Sequence, residues 1–171
     1  MEKQLDEVGL LHERIEAVTP SLISYNITKL VKPCNRNTPK DIAVIASHLT
    51  AIRSAIYDPT MMDSEYALIT EDDIGFKFAI DFDKLVKTAP KNFSILQLVT
   101  TNVEAIHKLW DTYHGDPNNV WTPSYWNTMT KDKRTVLYWS AQAYLIHKQR
   151  IRPFIDDVVD AWQGKKKSSD M

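Results

Sequence analysis

Glu71, Asp72 and Asp73 stand in a row at the end of the apolar run Tyr66-Ala67-Leu68-Ile69. Carboxylates are hard oxygen donors, suited to Mg²⁺ or Mn²⁺ and, through the cation, to phosphate oxygens. Three adjacent acids alone are a weak signal and read first as a solvated turn. The flanks, Leu68 and Ile69 before and Ile74 and Phe76 after, point instead to a packed strand end, where mutually repelling carboxylates need a cation or hydrogen-bond donors. Ser47 and His48 flank the apolar stripe of a helix, a position where histidine reads first as a hydrogen-bonded packing residue. His107, Asp111 and His114 recur at i, i+4 and i+7, a zinc-compatible spacing, but on the face opposite the core stripe, where solvation is the simpler reading. Lys148, Arg150 and Arg152 can neutralise a pyrophosphate or simply form a basic surface.

The elements that must position these groups follow from periodicity and punctuation. Leu5, Val8, Leu10 and Leu11 predict a short helix, followed by a brief strand over 14–18 that Thr19-Pro20 closes. Residues 21–37 read as a loop region. Thr38, Pro39 and Asp41 form a helix start, and Ile42, Ile45, Leu49, Ile52 and Ile56 recur at three- and four-residue steps, so a helix over 39–57 should turn that stripe to a core. Asp58-Pro59 stops it. The run Tyr66–Ile69 suits a strand buried on both faces, with the acids at its carboxyl end, where open α/β sheets bind ligands. A helix over 80–86, a strand over 93–99, a helix over 102–113, a long loop over 120–133, an extended segment over 135–146 and a helix over 151–162 complete the reading. Strands alternating with helices imply α/β layering in one domain over 1–163, with a polar tail over 164–171.

Composition narrows the function classes. The 171 residues carry 21 basic and 22 acidic side chains, so no overall field draws the chain to nucleic acid or to an anionic membrane. With 43% hydrophobic residues and no continuous apolar span, it reads as a globular chain without a membrane span or signal peptide. The single cysteine, Cys34, has no visible base or metal partner and reads as structural. Two matches to the glycosylation pattern, at Asn26 and Asn92, carry little weight. Only four glycines are present, and no P-loop, Rossmann fingerprint or nucleophile elbow occurs, which argues against those three chemistries.

Four stretches, taken together and in order, resemble glycosyltransferase family 25, the group of lipooligosaccharide and procollagen galactosyltransferases with a GT-A fold. Residues 10–18, Leu-Leu-His-Glu-Arg-Ile-Glu-Ala-Val, are similar to the family's early helix-to-strand step, with Thr19-Pro20 in place of its Asp-Gly turn. Residues 41–49 resemble its Ser-His helix, with Ala43 and Val44 where Gly-Cys is usual. Residues 66–74 resemble its metal strand, and 95–98 the Leu-Gln-Leu strand after it. Residues 141–146, Ala-Gln-Ala-Tyr-Leu-Ile, resemble its Ala-Tyr-Leu-Ile strand, with Ser140 or Ala141 in place of a common glycine.

The resemblance spans residues 8–156. It implies a GT-A-like mixed sheet flanked by helices, lacking the first strand, because family members begin with an Ile-Asn-Leu segment ahead of the helix in which this chain starts. It also implies a transferase that moves galactose or glucose from a UDP-sugar to a hydroxyl of a glycan or protein acceptor, with Mn²⁺ or Mg²⁺ as cofactor. Asp73 would be the principal metal ligand and Asp72 would contact metal or ribose. Glu71 would support both, and Ser47 and His48 would line or brace the same pocket. Two rivals are set against it. One is a non-catalytic glycan- or protein-binding domain of the same fold, using Trp121, Tyr125 and Trp126 as a stacking surface; the other is a metal-dependent phosphohydrolase using the same acids.

Overall fold

The computed structural model describes residues 2–7, 9–22, 38–61, 63–76, 79–99, 103–104, 107, 111 and 141–162. Within these, four helices and three strands follow in the order α1 (Glu2–Glu7), α2 (Pro39–Tyr57), β1 (Tyr66–Thr70), α3 (Phe82–Thr88), β2 (Ile95–Gln97), β3 (Ala143–His147) and α4 (Lys148–Trp162). Short 3₁₀ turns lie at Pro20–Leu22 and Pro59–Met61. The architecture is mixed α/β.

Helix α2 begins where its cap chemistry dictates. The backbone N–H of Thr38 donates to Asp41 Oδ2 at 2.7 Å, and Asp41 N–H donates back to Thr38 Oγ1 at 3.3 Å, closing a capping box ahead of Pro39. It ends at Asp58, whose carboxylate instead accepts the backbone N–H of Thr60 at 2.7 Å beyond Pro59. The buried positions are Ala43, Ala46, Ile52 and Ile56, whereas Ile45 is exposed. The apolar stripe is therefore set by four-residue steps in the second half of the helix, and small alanines make the close contact in the first half.

The sheet has the order β1-β3-β2 with both pairings antiparallel. In the β1–β3 register Tyr66 faces His147, Leu68 faces Leu145 and Thr70 faces Ala143. All five residues of β3 are buried, while β1 is an edge strand in which only Ile69 is fully buried. The strand covered on both faces is thus β3 and not the run Tyr66–Ile69 for which that was expected, because β3 is the one bonded on both sides. Among the described residues 14–18 no strand forms; that segment has the right alternation but runs without a ladder partner.

Two apolar clusters cover the two sheet faces. Ile52 and Ile56 from α2, Ile69 from β1, Tyr144 and Ile146 from β3, and Ile151 and Ile155 from α4 form one. Leu96 and Leu145, with Ala89, Leu68, Leu85, Val86 and Phe93, form the other. Strand alternation sends Tyr144 and Ile146 to the first face and Leu145 to the second. Helix α3 starts two residues later than its apolar pattern predicts, since the Asp81 carboxylate caps it by accepting from Lys84 N–H at 2.9 Å. Helix α4 starts three residues earlier, directly at the end of β3, with Lys148 N–H donating to Glu65 O at 3.0 Å. Strand β2 is shorter than expected, and Asn92 lies exposed in the turn before it. His107 and Asp111 are helical and exposed, as the predicted polar face requires, and Val103 and Glu104 are helical and exposed as well. Residues 120–133, Cys34, Asn26, His114 and 164–171 lie outside the described residues. No helix among the described residues is long and apolar enough to cross a membrane.

Ile146 is fully enclosed, so Ile146→Ala should lower the unfolding free energy by about 2–5 kcal/mol in urea titrations. The half-exposed Ile95→Ala should cost much less. A second expectation concerns acid. Hydrogen bonds from the Thr38 backbone and hydroxyl hold the Asp41 carboxyl below its ordinary value of 3.8. The unfolded chain therefore binds that proton more readily, so the stabilisation is complete above the unfolded value and is lost as pH falls through the folded one. The difference in urea midpoint between the natural chain and Asp41→Asn should be widest above about pH 5 and close on further acidification.

Candidate functional site

The β1–β3 ladder carries one hydrogen bond past the end of β1: Glu71 N–H donates to Gln142 O at 2.8 Å. Glu71 is therefore held in strand-like register, and its half-buried side chain turns toward α2. Asp72 and Asp73 leave the ladder and form an exposed turn. The triplet thus divides into one inward and two outward carboxylates.

His48 receives the inward one. Its Nε2 lies 3.4 Å from Glu71 Oε1, and its Nδ1 lies 3.0 Å from the hydroxyl of Tyr144. The two rings are tilted, with centroids 5.7 Å apart. Burial holds the Tyr144 phenol well above its ordinary value, and the negative charge of Glu71 adds to the shift, so the hydroxyl keeps its proton. Three segments far apart in sequence, α2, the end of β1 and β3, meet at this ring.

Ser47 acts elsewhere. Its Oγ donates to Ala43 O at 2.9 Å and accepts the backbone N–H of Val18 at 2.8 Å. The residue clips the segment 10–19 to α2, and both of its hydrogen-bonding roles are used on backbone. Arg14, from that same segment, reaches Asp72 with Nη2 at 3.4 Å from Oδ2. Both side chains are largely exposed, so the pair adds little stability and a ligand can displace it at small cost.

Beyond the acids, Gln4 on α1 fixes the chain with a paired amide contact. Its Nε2 donates to Phe76 O at 3.0 Å, and Phe76 N–H donates to its Oε1 at 3.1 Å. A side-chain amide here does what a neighbouring strand would do for that backbone. No local pattern marks Gln4 in the sequence, because its partner lies 72 positions away.

The basic residues after β3 do not converge. Arg150 donates to Lys91 O at 2.8 Å and to Phe93 O at 3.1 Å, bracing the turn into β2. The guanidinium of Arg152 lies 4.9 Å from the centroid of the Tyr57 ring. Lys148 is buried, and that burial lowers its amine's affinity for a proton, opposed by the carboxylate of Asp63. A shared pyrophosphate role for the three is not what these contacts build.

The donor set at the turn can still be judged. No group of three or more His, Cys, Asp and Glu side chains suited to a metal occurs among the described residues. Asp72 and Asp73 nonetheless fit a Mg²⁺ or Mn²⁺ ion that takes one or two carboxylates and completes its shell with water and substrate phosphate. They do not fit an all-protein cage.

The chain matches no family model, and no curated protein or solved structure is significantly similar to it.

Because Gln4 supplies both partners of Phe76, Gln4→Ala should release the loop after the acids. Hydrogen exchange of the Phe76 amide should quicken by an order of magnitude or more, roughly the loss of one closed hydrogen bond, while amides of β3 keep their protection.

Proposed function

We propose that this chain is a metal-dependent glycosyltransferase of the family 25 type, with a GT-A-like arrangement, that moves galactose or glucose from a UDP-sugar to a hydroxyl of a glycan or protein. One observation carries the reading. The stretches whose residues resemble that family, around Ser47-His48, Glu71-Asp72-Asp73 and Ala141–Ile146, contribute His48, Glu71 and Tyr144 to a single hydrogen-bonded group. Packing of α2 on the sheet brings those three positions together but does not require an imidazole, a carboxylate and a phenol at them.

In this reading Asp73 and Asp72 hold the cation and, with it, the diphosphate of the donor. Bound there, a divalent ion offsets the negative charge that grows on the departing UDP. The protein's own part is positional. The ladder bond from Glu71 fixes where the turn begins, the Gln4 amide fixes where it ends, and the two outward carboxylates project between those anchors. Arg14 beside Asp72 supplies a positive charge that can swing to a phosphate oxygen. An edge strand carrying the acids also agrees with a larger mixed sheet, since β1 is bonded on one side only among the described residues.

Titration calorimetry of UDP tests the reading. Binding that needs Mn²⁺ or Mg²⁺ and disappears in Asp73→Ala is the expected result. Binding that ignores the metal, or none at all, would favour a non-catalytic domain. Free sugar released from UDP-galactose or UDP-glucose without any acceptor would favour a phosphohydrolase.

A further inference from the structure

His48 touches a different kind of partner through each ring nitrogen, and those partners leave the neutral ring one satisfactory arrangement. Glu71, as a carboxylate, can only accept. Tyr144 carries a hydroxyl hydrogen that its buried setting keeps in place. If the ring proton sat on Nδ1, the Nε2 lone pair would face the Glu71 carboxylate at 3.4 Å with no hydrogen between them. With the proton on Nε2, Tyr144 donates to Nδ1 and Nε2–H donates to Glu71, and both contacts are satisfied.

We infer that Tyr144, His48 and Glu71 form a polarised relay that pins the Glu71 carboxylate inward as a positioning group, leaving Asp72 and Asp73 as the only cation ligands of the triplet. The polarity rests on the two contacts of the ring and on the proton that burial keeps on Tyr144, and not on the proposed function. The consequence for the cation rests on the proposed function. His48 and Tyr144 are positioning residues in this scheme: they act through Glu71 and, by way of its backbone bond to Gln142, on the turn that follows.

The enclosure of the relay supports a fixed orientation. Tyr144 is buried, and the side chains of His48 and Glu71 are only 17% and 33% exposed, whereas that of Asp72 is 80% exposed. A carboxylate fastened to an imidazole in partial burial is a poor candidate to turn outward, because doing so would take from Nε2–H its carboxylate acceptor.

Long-range ¹H–¹⁵N correlation spectra of histidine-labelled full-length chain at pH 8, with the His48 signals identified by their loss in His48→Gln, test the polarity. A ring protonated on Nε2 is expected, with population moving toward Nδ1–H in Glu71→Gln. A ring protonated on Nδ1, or on both nitrogens, would overturn it. The second half is read by UDP titration in Mg²⁺. Glu71→Gln should weaken binding by about 10-fold to 100-fold, the usual effect of removing a support behind a metal site, while Asp73→Ala abolishes it. His48→Gln, which keeps a donor near Glu71, should bind more tightly than His48→Ala. A loss in Glu71→Gln as complete as in Asp73→Ala would make Glu71 a ligand and overturn the positioning role. Should the natural chain show no Mg²⁺-dependent binding at all, the proposed function falls while the tautomer result still judges the relay.

Discussion

The pairing of β1 with β3 is the constraint on which the rest of the described structure depends. It fixes Ile69 opposite Tyr144 and Thr70 opposite Ala143, and its last hydrogen bond reaches from Glu71 to Gln142. A slip by one residue would send every side chain of β1 to the other face. Ile69 would leave the cluster that holds α2 and α4, and Glu71 would leave His48. Register here sets the hydrophobic core and the candidate site together.

Both faces of β3 are covered, since all five of its residues are buried. Helices α2 and α4 cover one face and the α3 region covers the other. The immediate passage from β3 into α4 follows from the same enclosure. The backbone donors of His147 and Lys148 go to Ser94 and Glu65, so the chain can turn from strand to helix without orphaned amides. His147 makes the one visible compromise. Its Nε2 meets Glu65 at 3.0 Å, while its buried Nδ1 has no protein partner among the described residues. The aromatic rings of Tyr66 and Phe93 pack against that imidazole, so its position is secured by apolar contact and one polar bond.

Much of this could be read from local pattern. Thr38-Pro39 and Asp58-Pro59 bracket α2 because capping and proline geometry act within a few residues, and the apolar runs at 66–70 and 95–97 mark strands for the same reason. What depended on distant partners was not legible. Residues 14–18 alternate as a strand should, yet a strand exists only where a ladder partner is present, and Val18 instead gives its amide to Ser47. The antiparallel direction, the central place of β3 and the Gln4 clamp rest on pairings across tens of residues. Lys148, Arg150 and Arg152 look alike in sequence and separate in space, each held by a different neighbour. For the acids, the family resemblance gave Glu71 a supporting part beside Asp72 and Asp73, but the partner that holds it, His48, lies 23 residues earlier and no local pattern joins the two.

The inward place of Glu71 follows from two elementary periods. Along β1 the residues that share a face are two apart, so Glu71, the last residue the ladder holds, falls on the side of Ile69, while Asp72 and Asp73 lie past the ladder in an exposed turn. Along α2 the residues that share a face are four apart, so His48 extends the row of Ile52 and Ile56 by one turn. Four helical residues advance about 6 Å and two strand residues about 6.6 Å. With Ile52 and Ile69 packed in one cluster, the next step along each element brings His48 to Glu71. Tyr144, opposite Ile69 on β3, completes the group from the third side. The polar relay is the continuation of the hydrophobic core by one repeat, with the apolar side chains exchanged for an imidazole, a carboxylate and a phenol. Where the core reaches the sheet edge, a polar side chain costs least and a ligand can reach it, and there the acids emerge.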